Sequence, residues 1–200
     1  MTRAHTPFEL ERRLRNMFAT VRSIARRTAA TSLSVDDYAM KFDGRLEALS
    51  RGLSLLGGER GVDWEYLLAE ELRTQQIEEG VRATFEGPSL LLQPDVAPTI
   101  ALAFHELATN AVEHGALARP GGRISIAWRI IHSETPTVRF EWIEGGGLRP
   151  ALAPRRRGFG MELLEEALPF ELGATISIDY LPAGLRCVIT LPASGRLFRS

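Results

Sequence analysis

Glu106 and Asn110 place a carboxylate and a carboxamide four residues apart, inside the run from His105 to Leu117. On a helix, residues at i and i+4 lie on one face, one turn apart. The carboxylate can orient or activate a water, and the amide oxygen can coordinate a hard cation such as Mg²⁺, which keeps several waters and binds substrate phosphates. The ordinary alternative is a helix whose Glu and Asn simply face solvent.

A second candidate site begins with Trp142 and Glu144 and continues into three consecutive glycines, residues 145–147. Three glycines in a row cost backbone entropy, so they indicate that the backbone approaches a ligand closely. A carboxylate at the end of a strand can accept a hydrogen bond from an exocyclic amine such as that of adenine. The ordinary alternative here is a flexible loop.

A third candidate site runs from three arginines, residues 155–157, into Gly158, Phe159 and Gly160 at a predicted helix start. Helix N-termini offer free N–H groups and a positive dipole, and glycines let phosphate oxygens come close. The arginines alternatively form a solvated charge run. Together the three sites supply a metal-binding amide, a base-reading carboxylate and a phosphate cradle.

The elements that must carry these sites fall into two parts. Residues 7–56 have apolar side chains at three- and four-residue steps, which predicts two amphipathic helices, the second capped by Ser34. Such a helical hairpin cannot bury both apolar stripes alone, and pairing with a second copy into a four-helix bundle solves this. We therefore predict a homodimer through residues 7–56.

After residue 58 the pattern becomes a mixture of α and β. Strands are predicted at 81–86, 89–92, 123–131, 137–143, 174–180 and 186–191, and helices at 64–71, 94–114 and 161–168. This order predicts an α+β sandwich with helices on one face of a mixed sheet. The predicted domains are residues 1–60 and 61–200.

Composition narrows the classes of partner. With 24 basic and 25 acidic residues the net charge is -1, so neither nucleic acid nor an anionic membrane is an expected partner. The single cysteine, Cys187, excludes an internal disulfide and fits a reducing compartment. No apolar run is long enough to span a membrane, so we expect a cytoplasmic protein.

In combination, these motifs resemble those of the HWE histidine kinase family, within the ATP-binding superfamily of gyrase, heat-shock chaperone, histidine kinase and mismatch-repair proteins (GHKL). Residues 101–117 resemble its N box, including the distinguishing His105. Trp142 and Glu144 resemble its Trp-x-Glu signature, and residues 157–160 resemble its glycine box. The resemblance implies an N-terminal helical hairpin that forms a dimeric four-helix bundle, followed by a Bergerat-type α/β sandwich that binds ATP and Mg²⁺.

The resemblance also implies roles for individual residues. Asn110 would hold Mg²⁺, Glu106 would help to position water or metal, and Glu144 would take the place of the adenine-reading acid. The implied nucleotide-binding set is His105, Asn110, Trp142, Glu144, Gly146, Arg157, Gly158 and Gly160.

One departure lies in the first helix, where the family pattern Glu-Leu-x-His-Arg-x-x-Asn places the phospho-accepting histidine. Residues 9–16 of this chain read ELERRLRN, with Arg12 at the histidine position. A guanidinium is permanently protonated and has no lone pair with which to attack phosphorus. His5 is the only other histidine nearby, and it lies two turns upstream, out of register.

The sequence thus predicts a histidine-kinase-like protein of bacterial two-component signalling that binds ATP and Mg²⁺ without phosphorylating itself at residue 12. It would act as a regulator on a response regulator or on another kinase. One alternative is an active kinase that phosphorylates a partner protein. Another is a scaffold that sequesters a response regulator independently of nucleotide.

Overall fold

The computed structural model describes residues 7–54, 61–146, 158–182 and 184–199, without the side chains of residues 7–10, 12, 13, 16 and 54. The chain divides into two compact units, residues 1–47 and 48–200. The predicted functional domains, residues 1–60 and 61–200, stay a prediction.

The first unit is the predicted helical hairpin. Helix α1 spans Pro7–Thr31, and helix α2 spans Val35–Ser54, so that α2 continues into the second unit. The predicted cap is present, because the backbone N–H of Asp37 donates to Ser34 Oγ at 3.1 Å. The two helices are joined by a buried hydrogen bond of 2.8 Å from Arg45 Nη1 to Thr28 Oγ1.

Large apolar side chains remain exposed on this hairpin. They are Leu14, Phe18, Leu33, Val35 and Met40. A single hairpin therefore leaves part of its apolar surface uncovered, as the sequence predicts. None of the described helices combines the length and the apolar character that a membrane span requires.

The second unit contains two sheets and the helices that cover the larger one. Its helices are α3 (Trp64–Thr74), α4 (Ala97–Glu113), α5 (Phe159–Glu162) and α6 (Leu168–Leu172), and its strands are β1 (Val62–Asp63), β2 (Ala83–Glu86), β3 (Leu91–Leu92), β4 (Arg123–Ile131), β5 (Thr137–Gly145), β6 (Thr175–Leu181), β7 (Gly184–Pro192) and β8 (Phe198–Arg199). The main sheet has the order β2-β4-β5-β7-β6. Only the β2–β4 pair within it is parallel. The predicted α+β class with a mixed sheet is therefore confirmed.

Aromatic side chains build the core between α3, α4 and the sheet. The Trp64 ring meets Phe104 edge-on at 5.1 Å between centroids and Phe140 at 5.7 Å. Alternate residues of β5 are buried, which is the pattern of a sheet with helices on one face. Cys187 of β7 lies buried opposite Trp142. The sheet thereby fixes the strand end that carries Glu144.

Two features differ from the sequence prediction. In the small antiparallel sheet of β1, β3 and β8, only β3 lies within a predicted strand, 89–92, because two-residue strands such as β1 and β8 carry no readable periodicity. The helix predicted at 161–168 begins at Phe159 and continues to Leu172, with a π-helical turn at Leu163–Ala167 between α5 and α6. Its N-terminus therefore lies closer to the glycines than predicted.

Candidate functional site

The paired polar residues of α4 lie where the sequence predicts them, on one face of one helix. The Glu106 side chain is buried, so the alternative of a solvent-facing glutamate is wrong. Asn110 is half-buried. Its backbone carbonyl accepts hydrogen bonds from the N–H groups of His114 and Gly115 at the C-terminal end of α4. These bonds fix the backbone of Asn110.

The glycine turn of the third motif packs onto this same face. Gly158 is the N-cap of α5, and Phe159 is buried behind it. A Cβ atom added to Gly160 would lie 2.7 Å from Glu106 Oε2 and 3.1 Å from Asn110 Nδ2. A larger residue at this position would require these two side chains to shift. The fold therefore brings together two motifs that are 50 residues apart in the sequence.

Glu144 ends the buried face of β5 and makes two hydrogen bonds with uncharged donors. Its Oε2 accepts from the backbone N–H of Ala116 at 2.8 Å, and its Oε1 accepts from Trp142 Nε1 at 3.2 Å. Burial raises the pKa of the Glu144 carboxyl, and these two hydrogen bonds partly oppose that shift because they favour the charged form. The Trp-x-Glu spacing places the indole and the carboxylate on the same side of the strand, which is why they meet.

Gly146, within the glycine run after Glu144, approaches backbone rather than open space. Gly146 has a φ of +77°, and a Cβ atom there would lie 2.4 Å from the carbonyl oxygen of Gly121. This contact joins the end of β5 to the loop between α4 and β4. The close approach that the glycine run predicts is therefore made, at this position, to the chain itself.

The loop between α4 and β4 is also held by Arg82, which sequence analysis did not single out. Arg82 Nη2 donates to the carbonyl oxygens of Leu117 at 3.0 Å, Arg119 at 2.9 Å and Gly122 at 3.2 Å. No sequence pattern predicts these contacts, because the acceptors of the Arg82 side chain are backbone carbonyl oxygens 35 to 40 residues away in the sequence. The segment that follows Asn110 is thus fixed from both sides, by Arg82 and by Glu144.

The His105 side chain lies beside Glu71 of α3, whereas the side chain of its neighbour Glu106 lies beside Gly160. Its Nδ1 lies 3.5 Å from Oε2 of Glu71, a fully buried glutamate on α3. Glu71 in turn accepts two hydrogen bonds from Arg51, at 2.7 and 2.8 Å. Neither Arg51 nor Glu71 was predicted as a site residue. A signal existed for Glu71, since it shares the apolar stripe of α3 with Leu68 and Leu72.

Some positions that the sequence singled out lie outside the described residues. They are His5, the side chain of Arg12, Gly147, Arg155, Arg156 and Arg157. The structure brings Glu106, Asn110 and Gly160 together, and it buries Trp142 with Glu144 at the end of β5. The nucleotide-binding roles of these residues stay predictions.

Comparisons with known proteins agree with this arrangement. Residues 9–89 match the family model described as HWE histidine kinase. The blue-light-activated histidine kinase of Brucella ovis is 33% identical over 193 residues, which are 95% of this chain and 39% of that protein. The resemblance to HWE histidine kinases is therefore confirmed. The corresponding kinase of Brucella anthropi is 32% identical over 194 residues. The chain spans about 39% of the length of these curated relatives.

Solved structures show the same fold. The histidine kinase domain of the Erythrobacter litoralis EL346 blue-light activated histidine kinase matches with a TM-score of 0.58, covering 94% of both chains at 16% identity. The larger EL346 structure matches with a TM-score of 0.61 and covers 98% of this chain and 63% of that one. The predicted histidine-kinase fold, helices followed by a GHKL-type sandwich, is therefore confirmed.

Proposed function

We propose that the second unit binds ATP with Mg²⁺ against α4, and that the protein is a two-component regulator that does not phosphorylate itself at residue 12. One observation carries the nucleotide half of this proposal. A Cβ atom on Gly160 would lie 2.7 Å from Glu106 Oε2 and 3.1 Å from Asn110 Nδ2, so the glycine turn packs directly against both side chains. A glycine turn at a helix start beside an amide and a carboxylate fits a polyphosphate with a bound cation.

Asn110 is the residue proposed to hold the metal. Its amide oxygen is a hard ligand of the kind that Mg²⁺ prefers. Within the described ranges no three His, Cys, Asp or Glu side chains come together as a metal site. A magnesium ion on Asn110 would take its remaining ligands from phosphate and water, as Mg²⁺ commonly does. Bound there, the ion would neutralise phosphate charge and orient the terminal phosphoryl group.

Glu144 is proposed to read the adenine. Each of its oxygens accepts one hydrogen bond from an uncharged donor, and an ionised carboxylate can accept more than two. An exocyclic amine would therefore find an acceptor whose partners among the described residues, Ala116 and Trp142, carry no charge. His105, Trp142 and Gly146 complete the predicted nucleotide set, with Trp142 acting through its bond to Glu144.

Arg12 carries the regulatory half of the proposal. It stands in α1 at the position where the family pattern has the phospho-accepting histidine, and a guanidinium cannot accept a phosphoryl group. Nucleotide occupancy would then act as a conformational input and not as the first step of phosphotransfer. The phosphoryl group of the bound ATP would have no acceptor at residue 12.

The helical hairpin is proposed to form a homodimer through residues 7–56 and to dock a response regulator or another kinase. Phe18 and Met40 expose large apolar side chains on α1 and α2. Pairing of two hairpins would remove this surface from water. Sedimentation of the full chain at micromolar concentration tests the dimer, and a monomer would overturn this part.

The decisive experiment is a calorimetric titration of the full chain with ATP in millimolar Mg²⁺. We expect saturable binding by the wild type and a loss of at least about tenfold in affinity for Asn110→Ala, because a lost metal ligand costs about 1.4 kcal/mol or more. Glu113→Gln is the matched control, since Glu113 lies exposed on the same helix. No binding by the wild type would overturn the nucleotide half.

Labelled ATP then separates the three functions. We expect no label on the wild type and label on Arg12→His, which would show that the acceptor alone was lost. Label on a candidate partner mixed with the wild type would favour the active-kinase alternative. Unchanged partner affinity in Asn110→Ala, with or without ATP, would favour the scaffold.

A further inference from the structure

A buried ionic cluster connects the last turns of α2 with α3 and α4. The Glu71 side chain on α3 has no exposed surface, and its two oxygens pair with Nε and Nη2 of Arg51 on α2. This two-point geometry is the strongest form of an arginine–carboxylate contact. Glu71 is therefore a fixed anion in the interior, and its position is set by the last turns of α2.

His105 of α4 is the third member of the cluster. Its Nδ1 is buried, has no hydrogen-bond partner in the described chain, and lies 3.5 Å from Glu71 Oε2. A carboxylate only accepts, so an unprotonated Nδ1 facing it would bring two lone pairs together. The favoured tautomer carries the proton on Nδ1. A relative shift of about half an ångström would turn this contact into a normal hydrogen bond of about 2.9 Å.

The residue after Arg51 makes a second link to α4. A Cβ atom on Gly52 would lie 2.5 Å from Cα and 2.7 Å from N of Pro98, which is in the first turn of α4. The backbones of α2 and α4 are thus in direct contact at this point. Consecutive residues of α2 therefore reach α4 at two places, its first turn through Gly52 and its middle through Glu71 and His105.

We infer that Arg51 and Glu71 are positioning residues for the ATP site, which tie the last turn of α2 to α4 through His105. The inference rests on the proposed ATP site. His105 directly precedes Glu106 and lies five residues before Asn110, so a change in how α2 is seated displaces the same rigid helix that holds both groups. The ATP affinity then depends on the contact between Arg51 and Glu71, two residues outside the proposed nucleotide-binding set.

Thermodynamic linkage makes this coupling reciprocal. If the seating of α2 raises ATP affinity, bound ATP must stabilise the seating by the same free energy. In the unmodified protein, saturation with Mg-ATP should slow amide hydrogen exchange in residues 48–54. The factor should equal the ratio of the ATP affinities of the two forms, one with the last turn of α2 in contact with α4 and one without that contact. The comparison needs no variant.

Two variants test the links separately, with one matched control. Glu71→Gln keeps the shape of the side chain and removes its charge, and Gly52→Ala drives the two helix backbones apart. We expect each to weaken Mg-ATP binding about 5- to 100-fold, the usual range of coupling between sites. Glu70→Gln, one residue away on the outer side of α3, should bind as the wild type does.

A spectroscopic readout separates positioning from general destabilisation. Imidazole nitrogen shifts of His105 should show the Nδ1–H tautomer in the wild type and a tautomer mixture in Glu71→Gln. Nucleotide affinities are compared under conditions in which circular dichroism shows each variant folded. If Glu71→Gln does not fold, the inference is tested by the ATP affinity of Gly52→Ala and by hydrogen exchange of the wild type.

The outcomes distinguish this inference from the proposed function. Wild-type affinity in both Glu71→Gln and Gly52→Ala, together with weak binding by Asn110→Ala, would overturn the inference alone. Unchanged hydrogen exchange of residues 48–54 on saturation with Mg-ATP would overturn it as well. A wild type that binds no ATP would overturn the proposed function and this inference together.

Discussion

Two buried carboxylates in the second unit are stabilised in opposite ways. Glu71 faces a guanidinium, whereas the hydrogen-bond partners of Glu144 among the described residues are the N–H groups of a backbone amide and an indole. A buried charge needs a compensating partner, and a full positive charge supplies more than neutral donors do. The pKa of Glu144 is accordingly raised by burial.

The difference separates a structural role from a binding role. The Glu71 charge is already compensated within the chain, so it suits a fixed connection between helices. The described hydrogen-bond donors to Glu144 are neutral. An additional donor from a ligand would therefore stabilise the Glu144 carboxylate further. Both residues are buried glutamates, and their different hydrogen-bond partners favour different roles for them.

The largest expected effect comes from removing the cation beside Glu71. Arg51→Met should lower the free energy of unfolding by about 3 kcal/mol, because it leaves a buried carboxylate without its partner. Urea unfolding at pH 7 measures the change. Arg73→Met is the matched control, since Arg73 pairs with Glu70 on the exposed side of the same helix and exposed pairs contribute little. An equal loss of unfolding free energy in Arg51→Met and Arg73→Met would show that Arg51 does not compensate a buried charge on Glu71.

A smaller effect is expected at Glu144. Glu144→Leu removes the acceptor of two N–H groups and should cost about 2 kcal/mol, since unsatisfied buried donors are costly. Glu144→Gln keeps one acceptor oxygen and should cost about half as much. Thermal or urea unfolding of the pair measures both. If the leucine variant were as stable as the wild type, the Ala116 and Trp142 contacts would not be what fixes Glu144.

The prediction of smallest effect concerns pH. Because the folded pKa of Glu144 lies above its ordinary value of 4.5, the folded state holds this proton more tightly than the unfolded state. The stability from this group is therefore full below about pH 4.5 and is lost as pH rises through the folded pKa. Unfolding of wild type and Glu144→Gln from pH 4 to pH 8 should show the wild type losing stability relative to the variant. A constant difference would contradict the raised pKa.

Much of this fold was readable from the sequence, for physical reasons that differ between elements. The apolar periodicity of α1 and α2 and the Ser34 cap are local signals, and both helices form where they indicate. Strands β1 and β8 are two residues long and exist only because β3 lies between them. No local pattern can specify such strands.

The candidate site divides in the same way. The spacing of Glu106 and Asn110 predicts their common face, and the family resemblance joins them to Gly160. The partners of Glu71 and Glu144 were not predicted, because Arg51 is 20 residues from Glu71 and Ala116 is 28 residues from Glu144. Pairing between residues so far apart in the sequence is determined by tertiary packing and produces no periodic pattern in the sequence.

Cys187 gives the molecule a practical property. It is the single cysteine of the chain, it is fully buried in β7, and burial raises the pKa of its thiol to about 12. Thiol reagents attack the thiolate, so the native protein should stay unlabelled while folded. A cysteine introduced at the exposed Ser50 would then be the only reactive thiol. A single fluorophore or spin label placed there would report the environment of the last turns of α2 without a cysteine-free background.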